Sequence, residues 1–287
     1  MAFDPTAAMA ATTHRRHAWT DRDAILYALG IGLAGDPLDR VELAYVRDPA
    51  PTVFPTFPVA FALTGGPMGQ LGLDMHHVLH GEQAITLHGP IPAEGAAIAE
   101  GRMVGGWDKG AGKGAVFVEE KRLALVATGA PLATIRKTVF GRAEGGFGGP
   151  RDGQPAPHVV PVRPPDLTAM IATTPRQALI YRLTGDLNPI HIDPDAAARA
   201  GLGRPILHGL CTFAICARAV IERQADRRPG RLRHVQARFS APVYPGDLLA
   251  IDQWRDGEVI SFEARVVERG ETVIKAGKAI VAAEEWA

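Results

Sequence analysis

Apolar residues at helical spacing occur in two similar segments of the chain, Thr20–Gly32 and Thr174–Asp186, which lie 174 − 20 = 154 residues apart. We expect each segment to form a helix with its first threonine as the N-cap and, in the second segment, Pro175 at the first helical position. The pairing indicates that the chain contains two structural repeats. The matching residues are Ala24, Tyr27 and Leu29 in the first segment and Ala178, Tyr181 and Leu183 in the second.

A longer helix is predicted only in the second repeat. Apolar residues recur three and four apart from Gly209 to Gln224. A Leu-His-Gly motif stands before this stretch and again at positions 79–81, but His80 precedes Pro90 by 10 residues whereas His208 precedes Pro242 by 34. We therefore expect the second repeat to carry 34 − 10 = 24 extra residues, which form a helix that the first repeat lacks.

Alternating apolar and polar residues predict antiparallel strands after this region in both repeats. The fold class expected is α+β, with a curved antiparallel sheet in each repeat and a long central helix only in the second. The domains expected are residues 1–142, a Gly/Pro-rich linker at 143–160, and residues 161–287. The predicted strands are 97–107, 115–120, 133–142, 248–254, 259–267 and 272–282.

Composition narrows the class of protein. The 287 residues include 31 Lys+Arg and 31 Asp+Glu, so no net charge favours nucleic acid or an anionic membrane surface as a partner. From the sequence we expect no membrane-spanning segment, no secretory signal and no peroxisomal C-terminal signal. Cys211 and Cys216 lie five apart in one predicted helix, too far apart to bridge, which indicates free thiols. We expect a cytoplasmic, bacterial protein.

The densest polar motif is Asp186-Leu-Asn188-Pro-Ile-His191-Ile-Asp193, directly after the second repeated segment, where the first repeat has Gly32. An acid and a histidine five residues apart across a proline turn can converge for acid/base chemistry, so we expect chemistry in one repeat only. The alternative is structural: Asp and Asn commonly end helices and form turns before proline.

The histidines admit two further interpretations. A metal site at His191 and Asp193 is disfavoured, because no second cluster has ligand spacing. The histidines of the first repeat, His76, His77 and His80, are expected to be structural.

Gly209 stands at the start of the long predicted helix. The first helical N–H groups are unpaired donors at the positive end of the helix dipole, and a glycine lets a ligand approach them. Such donors can stabilise a developing oxyanion. Without the nearby polar motif, Gly209 would be an ordinary glycine near an N-cap.

These motifs resemble a known family. Asp186-x-Asn188-Pro-x-His191-x-Asp193, followed by Arg204-Pro-Ile-Leu-His208-Gly209-Leu, is similar to the MaoC-like, (R)-specific type-2 enoyl-CoA hydratases. The first half resembles the hydratase unit of multifunctional enzyme type 2 at 27–32, 78–83, 107–110 and 145–149. The resemblance implies a double hotdog fold whose first half lost its central helix, leaving space for medium- or long-chain or bulky acyl groups.

The resemblance also implies a reaction and its residues. The reaction is reversible syn hydration of trans-2-enoyl-CoA to (3R)-3-hydroxyacyl-CoA, as in β-oxidation, without a cofactor or metal. Asp186 and His191 would activate one water, Asn188 would orient them, and the Gly209 N–H would bind the thioester oxygen. The assignment of the base and the physiological direction stay open, and a homodimer is possible. His208 is expected to shape the turn, and the candidates for contact with CoA are Arg199, Arg204, Lys109 and His208.

Two other functions remain open. A hotdog thioesterase would direct the water at the thioester carbonyl, but such enzymes generally carry an acid on the long helix, and Gly209–Gln224 contains only Glu222, near its end. A non-catalytic acyl-CoA-binding protein would bind tightly without turnover and tolerate Asp186→Asn. The fold alone does not decide among them.

Overall fold

A computed structural model describes residues 3–73 and 77–286. Each half of the chain contributes five strands, and the six predicted strands are confirmed as β3–β5 and β8–β10; the other four were not predicted. The first half contains β1 (Thr12–Trp19), β2 (Val78–Leu87), β3 (Gly95–Asp108), β4 (Ala115–Leu125) and β5 (Pro131–Gly141). The second half contains β6 (Leu167–Ala172), β7 (Leu232–Phe239), β8 (Leu248–Asp256), β9 (Val259–Val266) and β10 (Glu271–Val281).

The two half-sheets join into one ten-stranded sheet, ordered β1-β3-β4-β5-β2-β7-β10-β9-β8-β6. Its antiparallel seam pairs β2 with β7, from Glu82 opposite Arg238 to Thr86 opposite His234. Each half therefore supplies the hydrogen-bond partners that the other half's edge strand would lack.

The helices are α1 (Pro5–Ala10), α2 (Asp21–Gly30), α3 (Arg40–Leu43), α4 (Pro58–Phe61), α5 (Gln177–Tyr181), α6 (Pro194–Arg199) and α7 (Gly209–Gln224). The predicted cap of α2 is confirmed, because Thr20 forms a capping box with Asp23. The prediction for the second repeat was wrong in detail. There the Gln177 Oε1 accepts from the Thr174 N–H (2.9 Å), which closes a turn, and the helix begins only at Gln177, after Thr174 and Pro175.

The long central helix α7 matches its predicted bounds, and 12 of its 16 residues are buried. The expected deletion of 24 residues in the first half was wrong. Residues 31–77, between α2 and β2, and residues 185–231, between the 3-10 turn Arg182–Thr184 and β7, are both 47 residues long. His80 and Gly81 lie inside β2, so their distance to Pro90 spans a strand and a turn. The first half has replaced the helix without shortening the chain.

Residues 53–73, which include α4, form what we call the replacement segment. The buried Lys121 ammonium of β4 donates to the backbone oxygens of Ala62 (2.6 Å) and Thr64 (3.0 Å). Glu119, also buried, lies 3.3 Å from Lys121 and accepts from the Met68 N–H (2.8 Å). A buried ion pair thus fastens this segment to the first half-sheet.

Residues 142–166 contain neither helix nor strand and lead from β5 to β6; we call them the connecting segment. They are anchored to the end of β3, where the Asp108 carboxylate accepts from the N–H groups of Gly146 (2.7 Å) and Gly148 (2.8 Å). The predicted domain boundaries, 1–142, 143–160 and 161–287, stay a prediction. Across 3–73 and 77–286, none of the helices has the length and apolar character needed to cross a membrane.

Candidate active site

The polar motif folds into a short loop between α5 and α6. The Asp186 Oδ1 accepts from the Asn188 N–H (3.2 Å), and the Asn188 Oδ1 accepts from the Ile190 N–H (3.2 Å) at the start of the 3-10 turn Pro189–His191. Asn188 therefore caps the turn that carries His191, and its orienting effect acts through the backbone.

His191 is buried and held in one tautomer. Its Nδ1 lies 2.9 Å from the Ile206 backbone oxygen. Because a carbonyl can only accept, Nδ1 carries the proton and Nε2 presents a lone pair.

His208, the N-cap residue of α7, contacts both members of the predicted dyad. Its ring stacks on His191 with centroids 3.6 Å apart and planes at 23°. Its Nε2 donates to the Asp186 backbone oxygen (3.1 Å), and its buried Nδ1 has no hydrogen-bond partner among the described residues. The ring thus fixes the spacing between Asp186 and His191.

Both imidazoles are kept neutral by their surroundings. Burial lowers the pKa of His191, against the opposing effects of the Ile206 carbonyl and the Asp186 carboxylate. Burial, with a further contribution from His191, lowers the pKa of His208 to about 4. At neutral pH the His191 Nε2 is therefore available as a proton acceptor.

Asp186, His191 and His208 each bring one possible ligand atom within 4.8 Å of the others. Such a set could bind a divalent cation, and it could equally bind one water. Asp193 does not join it, because its Oδ1 caps α6 by accepting from the Asp195 N–H (2.8 Å). The expectation of no metal and no cofactor stays a prediction.

Gly209 begins α7 beside this cluster, and its N–H has no acceptor among the residues that the structure describes. A Cβ placed on Gly209 would lie 3.3 Å from the Phe239 ring. A side chain at this position would therefore push against Phe239, and glycine leaves the helix N-terminus open to a ligand.

Phe239 was not predicted as a site residue. Its ring also meets the His80 ring of β2 at 5.0 Å, nearly edge-on, which places a first-half histidine beside the cluster. Burial, with the charge of Lys137, lowers the pKa of His80 to about 3, and its Nε2 lacks a partner within the described part of the chain. The repeated Leu-His-Gly motif was the available signal for this wall of the site.

His76 and His77 are the other two histidines of the first repeat that were expected to be structural. The His77 backbone oxygen accepts from the Arg142 N–H (3.0 Å). His76 lies outside the described residues. The structural role expected for these two residues stays a prediction.

The candidate CoA contacts lie in different places. The Lys109 ammonium donates to the Gln154 Oε1 (2.8 Å) in the connecting segment. Arg204 lies over the Tyr244 ring at 4.5 Å, and Arg199 is exposed at the end of α6. None of these three cations hydrogen-bonds to Asp186 or His191 in the described residues, and their role stays a prediction.

The family models, the relatives and the solved structures that this chain resembles agree on one class of protein. Residues 17–143 match the MFE-2 hydratase 2 N-terminal domain and residues 158–277 match the MaoC like domain. Enoyl-CoA hydratase ChsH3 of Mycobacterium tuberculosis is 38% identical over 271 residues, which cover 92% of this chain and 93% of that protein. A MaoC-like dehydratase from Phytophthora capsici superposes with a TM-score of 0.83 at 27% identity, covering 95% of each chain.

A third protein, from Mycobacterium tuberculosis and described as a double hotdog fold, superposes with a TM-score of 0.53 at 15% identity, over 93% of this chain and 92% of its own. That likeness concerns the fold alone. The chain has a double hotdog fold and belongs to the MaoC-like dehydratase family, in the branch that carries the MFE-2 hydratase 2 N-terminal domain.

Proposed function

We propose that this protein adds water reversibly to trans-2-enoyl-CoA to give (3R)-3-hydroxyacyl-CoA. The family and the name of the hydratase relative make it a hydro-lyase of the enoyl-CoA hydratase class. The observation that carries the mechanism is the neutral His191, with a free Nε2 beside the Asp186 carboxylate. The Gly209 N–H, at the positive end of α7, supplies the second requirement, a donor for the thioester oxygen.

The steps of hydration follow from the negative charge that develops on the thioester carbonyl oxygen. C3 of the enoyl thioester becomes electrophilic as its carbonyl oxygen gains negative charge, which the Gly209 N–H stabilises. Asp186 and His191 hold one water and accept a proton as its oxygen bonds to C3. The same proton then goes to C2 on the same face, so the elements of water add syn. The two residues act as one coupled dyad.

We further propose medium- or long-chain or bulky acyl groups as substrates, because no long helix occupies the first half within the described residues. Phe54, Phe57 and Val59 of the replacement segment are buried in the main core and take up part of that space. The ratio of rates for a short and a bulky enoyl-CoA measures the room that remains.

The decisive experiment is hydration of trans-2-butenoyl-CoA and a bulky trans-2-enoyl-CoA, with product chirality, by wild type, Asp186→Asn and the control Asp36→Asn. Asp36 is an exposed turn acid of the first half. We expect (3R) product from wild type and the control, and loss of turnover in Asp186→Asn. Release of free CoA would instead indicate a thioesterase, and tight binding without turnover would indicate an acyl-CoA-binding protein.

The proposed setting is the cytoplasm of a bacterium, with acyl-CoA as the small-molecule partner. Cys211 and Cys216 are both buried and free, as a reducing compartment allows. A homodimer remains a prediction.

A further inference from the structure

A lysine inside the first half, Lys137, is used neither by the sequence motifs nor by the proposed mechanism. It lies on β5 between Ile135, a residue of the main core, and Val139, which packs in a second buried apolar cluster. Because side chains two apart on a strand share a face, Lys137 points to the inner face of the first half-sheet. Its neighbour Arg136 lies on the opposite face, where it pairs with Glu120 at 2.8 Å.

The Lys137 ammonium has no hydrogen bond and no ion pair within the part of the chain that the structure describes. The residues opposite it on both neighbouring strands are already engaged. Glu119 on β4 pairs with Lys121 at 3.3 Å, and the Gln83 amide on β2 donates to two backbone oxygens at 3.1 Å. An enclosed ammonium without a partner is costly, so its presence points to an anion that comes from a ligand.

Lys137 borders a narrow space inside the protein. Protein atoms surround its ammonium on almost every side, yet part of the residue stays accessible. The same combination is found at His80 of β2, whose pKa the charge of Lys137 helps to lower. His80 is opposite Val139 in the register of β2 and β5, so it also points to the inner face. The space therefore has a histidine and a lysine on its first-half wall.

This space lies next to the active site. Burial lowers the pKa of Lys137, and the carboxylates of Glu119 and Asp186 oppose that effect, so the charge of the predicted dyad reaches the lysine. His80 meets the Phe239 ring, which lies 3.3 Å from the position of a Gly209 Cβ. An acyl chain that leaves C3 beside Asp186 and enters the first half therefore passes Lys137.

The chemistry of an ammonium selects the far end of such a chain. A methyl group would leave Lys137 without a partner, and a hydroxyl would give it one neutral acceptor. A carboxylate would give it a charge-assisted hydrogen bond, which is roughly twice as strong as a neutral one. The nearby protein carboxylates are not free for this role, because Asp186 holds the water and Glu119 is paired with Lys121.

We propose that Lys137 binds a carboxylate at the far end of the acyl chain, so that the preferred substrates are enoyl-CoA thioesters of dicarboxylic acids. Lys137 is then a specificity-determining residue, because it contacts the end of the chain and not the reacting atoms. The inference rests on the proposed function, because it takes an enoyl thioester bound at Asp186 and His191 as the substrate.

The test compares chains that differ only at their far end. The substrates are trans-2-hexenedioyl-, trans-2-octenedioyl- and trans-2-decenedioyl-CoA, each beside the methyl-ended trans-2-enoyl-CoA of the same carbon number. We expect the kcat/KM of wild type to favour the carboxylate end by at least about tenfold at one of these lengths. Lys137→Met should lose that preference, and Lys137→Gln should lose less of it. The control Lys113→Met changes an exposed lysine between β3 and β4 and should keep the wild-type preference.

Three results would overturn the role of Lys137. The first is a wild type without preference for the carboxylate end at any length, which needs no variant to fold. The second is a Lys137→Met protein that keeps the preference, or that loses activity equally with both chain ends, as a mere counter-charge of Asp186 would. The third is a stronger preference for 8-hydroxy-trans-2-octenoyl-CoA than for the octenedioyl thioester, which would indicate a neutral partner.

Failure of the proposed function is a separate outcome. If wild type hydrates none of these thioesters, the hydratase assignment fails. Calorimetric titration with saturated octanedioyl-CoA and octanoyl-CoA then still decides the role of Lys137. The inference requires wild type to bind the carboxylate-ended thioester about tenfold more tightly and Lys137→Met to lose that difference.

Discussion

The two halves of the molecule build different structures from the residues between their first helix and the strand at the seam of the sheet. Each places 47 residues between a short helix and the strand at the seam of the sheet. The second half uses them to build α7, whose buried apolar side chains fill its core. The first half uses the replacement segment, fastened by the pair of Glu119 and Lys121. The helix begins with the Gly209 N–H, which has no acceptor within the described part of the chain, so the second half offers a donor for an oxyanion.

The first half nevertheless supports the catalytic helix. Arg218 of α7 donates to the Gly32 backbone oxygen (2.7 Å), at the place that corresponds to Asp186 in the second half. Tyr27 of α2 and Tyr181 of α5 pack with ring centroids 5.9 Å apart. The repeat that lacks the polar motif thus acts as a support for the repeat that has it.

The largest expected effect is on the rate of hydration and comes from changing His191, in the half that carries the polar motif. His191→Gln removes the neutral Nε2, so we expect kcat for hydration to fall by about 10²–10⁴. Thermal unfolding would show that the fold persists. The matched control, His14→Gln, changes an exposed histidine of the first half and should leave kcat unaltered. Full activity in His191→Gln would place the chemistry elsewhere.

The next effect concerns stability in the first half. Lys121→Met leaves the buried Glu119 without its cation and frees the replacement segment from β4. We expect the free energy of unfolding to fall by about 3–5 kcal/mol, measured by urea denaturation. Adding Glu119→Gln should recover part of the loss, because the amide oxygen can still accept from the Met68 N–H. A loss no greater than that of the exposed control Lys113→Met would mean that the pair does not hold this segment.

A smaller effect is expected from adding a side chain at Gly209, where glycine leaves the start of α7 open to a ligand. Gly209→Ala places a Cβ 3.3 Å from the Phe239 ring, so the ring or the helix start must shift, and kcat should fall about 10- to 100-fold. Gly203→Ala is the matched control, because nothing lies within 4 Å of its Cβ position. Phe239→Leu in the Gly209→Ala background should restore part of the rate. Equal rates for the two alanine variants would remove close approach as the reason for glycine.

Local patterns in the sequence predicted much of this molecule. The bounds of α7 were correct because its apolar face repeats at helical spacing over 16 residues. The dyad was found because Asp186 and His191 stand five apart in one loop. By contrast, β1 was missed because its sequence, Thr-Thr-His-Arg-Arg-His-Ala-Trp, is a mostly exposed edge strand without clear alternation.

Features that join distant residues escaped the sequence argument. The ring of Phe239 meets Gly209 and His80 only because β2 and β7 pair at the seam. The supposed deletion arose from equating His80 with His208, although one lies in a strand and the other caps a helix. The two nearly equal offsets, 174 − 20 = 154 and 242 − 90 = 152, already indicated that neither repeat had lost a long segment.

The last prediction compares how His80 and His208 affect the pH dependence of the free energy of unfolding. His80 is neutral in the folded protein down to pH about 3, whereas in the unfolded chain it takes up a proton below its ordinary pKa of 6.5. Between these values the unfolded state binds more protons, so stability is lost as the pH falls from about 6.5 toward 3. Lys137 adds to this preference for the neutral ring.

His80→Leu removes this proton uptake and should flatten the dependence of unfolding free energy on pH by up to about 1.4 kcal/mol per pH unit over that window. Above pH 7 the free energy of unfolding of the variant should differ from that of wild type by an amount that does not change with pH, because the ring is uncharged there in both the folded and the unfolded state. His14→Leu, at an exposed site, should leave the slope as it is.

Since the His208 pKa is lowered only to about 4, its leucine variant should change the slope over a narrower pH range, from about 6.5 to 4. Urea unfolding at half-unit steps from pH 7 to 4 measures both variants, and an unchanged slope in His80→Leu would show that His80 is not held neutral.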